Sequence, residues 1–177
     1  MVLYIPRRYL EKMYQKRLNG YASMGYKAKG EELNDTPLDI IFDKDNFLPV
    51  FNQDINAAKR EIIFVSPFVR KMRTLQMTKH LKVAFEKKVR VLIVTRPKED
   101  FKPKDHATIQ STLDLLTDNG ASVVFKSNIH QKFAVMDQKI VWYGSINLLS
   151  YGSAQESIMR IESSNIANEL VKSIESV

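Results

Sequence analysis

The sequence contains no cysteine. That removes disulfides, thiolate catalysis and cysteine-based zinc sites together. No apolar run approaches the about eighteen residues needed to span a bilayer, so a transmembrane helix is not expected. The opening Met1-Val-Leu-Tyr-Ile-Pro-Arg7-Arg8 has no basic region followed by an apolar core, so it does not read as a secretory signal. A soluble, cytoplasmic chain is the expectation. Internal repeats and low-complexity tracts are lacking too. Histidine is scarce, with three in 177 residues, so each one can be weighed separately.

What the chain does have is positive charge. It carries 27 Lys+Arg against 20 Asp+Glu, a formal net charge of +7. An anionic partner fits, either nucleic acid or an acidic membrane surface. The charge is unevenly spread. Residues 31–55 hold one Lys and seven acids, whereas residues 56–105 hold fourteen Lys/Arg and five acids, a local excess of +9. A second basic patch lies at the amino end, with seven Lys/Arg and one acid in residues 1–30. Within the central stretch, Arg70, Lys71, Arg73, Lys79 and Lys82 are the candidate nucleic-acid contacts. The same run, with Lys87 and Lys88, reads equally as the solvated face of an amphipathic helix.

Residues 1–36 look separate: a short helical stretch, then Gly20, Gly25 and Gly30 in polar sequence, then loop chemistry up to Pro37. They suit an arm, a docking element or the tail of an upstream domain. Residues 37–177 alternate strand and helix. Strands are expected at Leu38–Phe42, Glu61–Val65, Arg90–Thr95, Ser122–Phe125, Ile129–Met136, Lys139–Tyr143 and Ser157–Ile161. A helix capped by Asp45 or Asn46 carries Phe47, Phe51 and Ile55 on one face. Another over Thr74–Lys88 turns Leu75, Leu81 and Phe85 inward. A third starts at Asp105 and closes at Asn119-Gly120, and a terminal one carries Ile166, Leu170 and Ile174. The continuous apolar run Val91-Leu-Ile-Val94 suits a strand buried on both faces. The fold class is therefore α/β, a mixed β-sheet flanked by helices on both faces.

The chemistry concentrates in one stretch. His130 and Lys132 share a face if the segment is a strand, as do Ser145 and Asn147 if theirs stays extended. A turn at Asp137-Gln138 brings the two segments side by side. An imidazole, an ammonium, a hydroxyl and a carboxamide then converge, and all four can meet a phosphate. Glu156 is placed to hold His130 in one tautomer and raise its basicity. By contrast, His80 sits in the lysine-rich helix and reads as a solvated or groove-lining residue, and His106, in the first turn of a helix, reads as local structure. Trp142 and Tyr143 read as core or interface residues, and Ser66-Pro67-Phe68-Val69 as a strand-end loop that either lines the site or simply turns the chain.

The pattern His130-x-Lys132-(x)4-Asp137-(x)6-Gly144-Ser145-x-Asn147 resembles the HKD motif of the phospholipase D superfamily, with all six identities in place. The resemblance runs from about residue 38 to 175 and leaves out the first 36. It implies a phospholipase D/nuclease-like α-β-α sandwich that cleaves or transfers phosphodiester bonds with no metal and no cofactor. It implies that His130 attacks phosphorus to give a phosphohistidine. A second HKD histidine protonates the leaving oxygen and then activates water. This chain has one motif: His80-x-Lys82 begins a second, but Lys87 stands where the aspartate is needed. Single-motif members resemble small bacterial nucleases that build one site across the twofold axis of a homodimer, the commonest oligomer arrangement.

By the same resemblance, Lys132 and Asn147 hold phosphate oxygens, Ser145 supports the phosphate or the dimer contact, Glu156 orients His130, and Asp137 is structural, tying the turn through backbone amides. A nuclease on DNA or RNA is the leading expectation. The alternatives are a phospholipid phosphodiesterase or transferase, whose known members usually carry two motifs and membrane-associating segments, and a non-catalytic nucleic-acid-binding module of a helicase or restriction-type system.

Overall fold

A computed structural model describes residues 41–152 and 154–175. The expected arm over residues 1–36 and the first residues of the expected Leu38–Phe42 strand lie outside them.

Alternating apolar residues build one mixed sheet. Its strands are β1 (Ile41–Asp43), β2 (Glu61–Val65), β3 (Arg90–Thr95), β4 (Ser122–Phe125), β5 (Phe133–Met136), β6 (Ile140–Gly144) and β7 (Ser157–Glu162). They lie in the order β1-β7-β6-β5-β2-β3-β4. β2, β3 and β4 run parallel, and the remaining pairings are antiparallel. All five residues of β2 are buried, as a strand covered on both faces requires. Ile62 and Phe64 join one core, Ile63 and Val65 the other.

Three helices cover the first face: α1 (Phe47–Ala57), α2 (Lys71–Glu86) and α3 (His106–Asp118). Phe47, Phe51 and Ile55 recur at fourfold spacing and are fully buried. They meet Trp142, whose ring lies 5.2 Å from that of Phe51 in a near-perpendicular contact. Each such side chain contributes about 1.5–3 kcal/mol through burial. The fourth helix, α4 (Ser164–Glu175), covers the opposite face, where Ile166, Leu170 and Ile174 pack on Val135 and Val141. Helices on both faces of a mixed sheet give the expected sandwich. Among the described residues, no helix is long and apolar enough to cross a membrane.

Several local expectations need correction. Neither Asp45 nor Asn46 caps α1 through its side chain; Asn46 Oδ1 instead accepts from the Asp43 amide at 2.8 Å, closing the turn before the helix. α2 starts at Lys71, not Thr74, and Leu75 is exposed. Leu75 lies six residues before Leu81, about 120° around the helix from it, so both cannot face the sheet. Thr74, Met77, Thr78 and Ala84 take the buried stripe with Leu81. β5 begins at Phe133, four residues later than its apolar pattern suggests, which leaves His130 and Lys132 in the approach to the strand. Ser145–Asn147 is bent rather than extended.

Candidate functional site

The β5–β6 hairpin turns at Asp137 and Gln138, both left-handed with φ of 53° and 54°. Two such residues in succession make the type I′ turn that matches strand twist. A left-handed non-glycine pair needs anchoring, and the motif aspartate supplies it. Its carboxylate accepts from the backbone amides of Lys59 (2.9 Å), Arg60 (2.8 Å) and Glu61 (3.0 Å). Gln138 Nε2 donates to Glu61 Oε1 at 2.8 Å. Partial burial pushes the Asp137 carboxyl up, but the three amides and the Arg60 charge together hold it below the usual range. Asp137 thus ties the hairpin to the entry of the neighbouring β2, far from the imidazole.

The hairpin register pairs Phe133 with Tyr143, and the Gly144 amide donates to the Lys132 carbonyl at 3.3 Å. The 130–132 segment therefore lies beside 144–145. Gly144 pairs with Ile158 of β7, and a Cβ on it would run into the Ser157 carbonyl and sit 2.7 Å from Ile158 Cα. The glycine lets two backbones approach where no methyl fits. Ser145 completes the same junction: its hydroxyl accepts from the Ser157 amide at 3.0 Å and donates to the Ser157 carbonyl at 3.3 Å. Its hydrogen-bonding capacity therefore goes into the β6–β7 junction, contrary to the expected convergence on phosphate.

The ends of β2, β3 and β6 and the starts of β5 and β7 meet at this one edge of the sheet. Loops leaving that edge carry the site. His130 is exposed and Lys132 half-buried, and Lys132 Nζ donates to the His130 carbonyl at 3.0 Å. Beyond the bend, Asn147 has its side-chain Oδ1 buried without a hydrogen-bond partner, so that atom is not used by the fold. Asn147 opens onto a cleft of about 1110 Å³, lined also by Phe68, Arg70, Lys71, Arg73, Phe101 and Glu156. His130 and Lys132 do not line the cleft. Among the described residues no hydrogen bond joins Glu156 to His130, so the expected orienting contact is not made.

Arg96, a residue the sequence reading passed over, is what joins the cleft to His130. It follows directly on β3. Its guanidinium lies 5.3 Å from the centre of the Phe68 ring, and Phe68 in turn packs edge-on against Phe101 at 5.9 Å. Nε donates to the Ile129 carbonyl at 3.1 Å, and Nη2 stands 3.2 Å from His130 Nε2. An arginine has only donors. Where the two are hydrogen-bonded, Nε2 is the acceptor and the ring proton sits on Nδ1. The signal for Arg96 was its place at the carboxyl end of a parallel strand, where α/β folds gather ligand groups.

The loop bearing His130 is clamped from the other face. Ile129 is buried in the core beneath α4. Lys126 Nζ donates to the Ser173 carbonyl at 3.0 Å and to that of Ile174 at 3.4 Å, and Ser173 Oγ, which donates to the Leu170 carbonyl at 2.6 Å, lies 3.2 Å from Gln131 Oε1.

Of the basic cluster, Arg70, Lys71 and Arg73 gather at the cleft, whereas Lys79 and Lys82 do not. Arg73 is partly committed: its guanidinium lies 4.1 Å from the centre of the Tyr151 ring, and Nε donates to the Tyr151 carbonyl at 3.1 Å. Lys82 faces Glu86 one turn on, at 3.8 Å.

This sheet with helices on both faces recurs in solved structures. NucT from Helicobacter pylori is similar at 16% identity, covering 76% of this chain and 91% of that one, with a TM-score of 0.59. Nuc from Salmonella typhimurium, a phospholipase D family member, is similar at 18% identity, covering 75% and 88%, with a TM-score of 0.58. TrmBL2, an archaeal chromatin protein with a novel mode of DNA binding, is similar at 10% identity, covering 96% of this chain and 62% of that one, with a TM-score of 0.51. At these identities the likeness is one of fold. No curated protein matches the chain. The family model described as cardiolipin synthase, PLD-like domain, matches residues 51–177. The chain belongs to the phospholipase D superfamily.

Proposed function

We propose that this chain is a metal-independent phosphodiesterase that hydrolyses nucleic-acid phosphodiester bonds, as an endonuclease, through a phosphohistidine at His130. The observation that carries the reading is His130 at the sheet edge, its Nε2 3.2 Å from Arg96 Nη2 and its carbonyl accepting from the Lys132 ammonium at 3.0 Å. In the first step Nε2 gives that lone pair to phosphorus. The bond to the leaving ester oxygen breaks, and that oxygen takes a proton from a second histidine. Water then attacks phosphorus and gives its proton to the second histidine, and the P–N bond breaks to restore Nε2. Lys132 and Asn147 hold non-bridging oxygens through the displacement. Glu156 lines the approach and acts on His130 once the side chains close on substrate.

The chain has a single HKD motif, so the second histidine is the His130 of another copy, placed across a twofold axis and carrying a proton on Nε2 in place of the Arg96 contact. The basic rim of Arg70, Lys71 and Arg73 beside Phe68 and Phe101 supports nucleic acid as the substrate, because phosphates and bases need cations and aromatic faces together. A domain of this kind serves within a helicase or restriction-type system as readily as alone.

The test is digestion of single- and double-stranded DNA and RNA in excess EDTA. Wild-type protein is expected to degrade at least one of them and His130→Ala none. Activity that requires added magnesium overturns the mechanism, and a monomer in sedimentation at working concentration overturns the shared site. The family model is described in terms of a cardiolipin synthase. Turnover of phospholipid vesicles with nucleic acid untouched would therefore replace the substrate assignment, and salt-sensitive binding without turnover would replace catalysis by binding.

A further inference from the structure

Arg96 occupies a position that neither the motif nor the basic cluster accounts for. Three contacts fix it. The Phe68 ring supports the guanidinium plane, the Ile129 carbonyl holds Nε, and only Nη2 reaches the imidazole. Lys132 meets the same residue at its backbone carbonyl instead. Two cations therefore flank His130, one on its ring and one on its main chain.

The Arg96 contact has two consequences that pull in opposite directions. By donating to Nε2, it selects the neutral tautomer with its lone pair on that nitrogen, the form able to attack phosphorus. Yet while the bond lasts, the lone pair is engaged and cannot attack. An anionic phosphate oxygen is a stronger acceptor for a guanidinium than a neutral imidazole nitrogen, because the attraction of opposite charges adds to the hydrogen bond. A phosphodiester reaching the sheet edge thus competes for the same N–H. The Nε anchor and the Phe68 platform let Nη2 exchange acceptors without the side chain leaving its place.

We propose that Arg96 is an exchangeable phosphate ligand, holding His130 neutral through Nε2 until a phosphodiester oxygen takes over its Nη2 donor and frees the nitrogen. The exchange couples arrival of the anion to release of the nucleophile. It rests on the phosphodiesterase reading for its meaning, but its physical content can be measured without turnover.

The experiment follows the ring nitrogens of His130 by ¹⁵N NMR in wild type, Arg96→Met and Arg96→Lys, each titrated with inorganic phosphate. Wild type is expected to show the neutral, Nδ1-protonated ring with an accepting Nε2, and phosphate is expected to shift that Nε2 resonance. Arg96→Met should start with a displaced Nε2 resonance and bind phosphate about tenfold more weakly or worse, as loss of a charge-assisted ligand requires. Arg96→Lys keeps the stem and the charge and should fall between them, which separates loss of the ligand from loss of fold. An Nε2 resonance identical in wild type and Arg96→Met, or phosphate affinity unchanged by Arg96→Met, overturns the proposal. Hydrolysis of bis(p-nitrophenyl) phosphate is measured in parallel. A wild-type protein inert to every phosphodiester sinks the proposed function, while the NMR result in that same protein still decides the exchange.

Discussion

Replacing Asp137 with alanine should damage the fold and spare the chemistry. The carboxylate receives three backbone N–H bonds of 2.8–3.0 Å, all from the Lys59–Glu61 entry to β2. Hydrogen bonds to a charged group are worth about 1.5–3 kcal/mol each, so the gross sum exceeds 4 kcal/mol. Lys59 and Arg60 are exposed, and water can replace much of what their amides lose. That brings the hydrogen-bond loss to about 2–3 kcal/mol. Alanine at a left-handed position adds about 1 kcal/mol more. We expect a total destabilisation of about 3–4 kcal/mol, read as a urea midpoint lowered by about 1–4 M at a slope of about 1–3 kcal/mol per M. Asn at the same position tolerates the backbone and keeps one acceptor oxygen, so it should lose about half as much. The folded fraction of either variant should retain wild-type kcat.

Because the folded carboxyl lies below its ordinary value, the unfolded chain binds this proton more readily. The stabilisation is therefore complete above the unfolded pKa and is lost as pH falls through the folded one. Asp137→Ala should flatten that part of the acid limb relative to wild type. A stable Asp137→Ala protein with no activity would refute the reasoning and move Asp137 into the reaction.

Gly144→Ala should force apart the backbones of β6 and β7. Thermal unfolding is expected to fall by several degrees, with Ser145 losing its Ser157 contacts in the same variant. Asp54→Asn should cost about 2–4 kcal/mol in urea unfolding, since the buried carboxylate accepts from Trp142 Nε1 at 2.7 Å and from Arg160 at 2.7 and 2.8 Å, and amide nitrogen cannot accept any of these. Reversing Arg70 and Lys71 to Glu should raise KM for nucleic acid with kcat little changed. It should also lower the slope of log affinity against log salt by about two, one per lost phosphate contact.

The sequence showed most where spacing is rigid. The fourfold recurrence of Phe47, Phe51 and Ile55 and the apolar run of β3 led directly to a buried helix face and a central strand, because periodicity alone decides which side faces in. Leu75 misled because an apolar residue off the stripe looks the same in a linear sequence as one on it. The hairpin at Asp137-Gln138 was legible from the return of apolar residues around two polar ones. The carboxylate's partners were not, because they lie 76–78 residues away. His130, Lys132 and Asn147 stood out by type and spacing. Ser145 and Glu156 depended on tertiary geometry, and the structure gives Ser145 to Ser157 and leaves Glu156 on the cleft wall. Arg96 was hidden by abundance: it is one of fourteen cations in one stretch, and its place just after β3 points to a ligand group only once contact with an imidazole is seen.

The last turn of α4 holds Lys126 through carbonyls that ordinary helix geometry leaves unpaired. Helix ends open and close within about a microsecond. Each opening strips Lys126 of its acceptors and moves Ser173 away from Gln131, the residue that follows His130. The loop of His130 is therefore only as persistent as a helix terminus on the opposite face of the sheet. Its amide exchange should rise and fall with that of Ser173 and Ile174, which makes the stability of one helical turn a control on how firmly His130 is held.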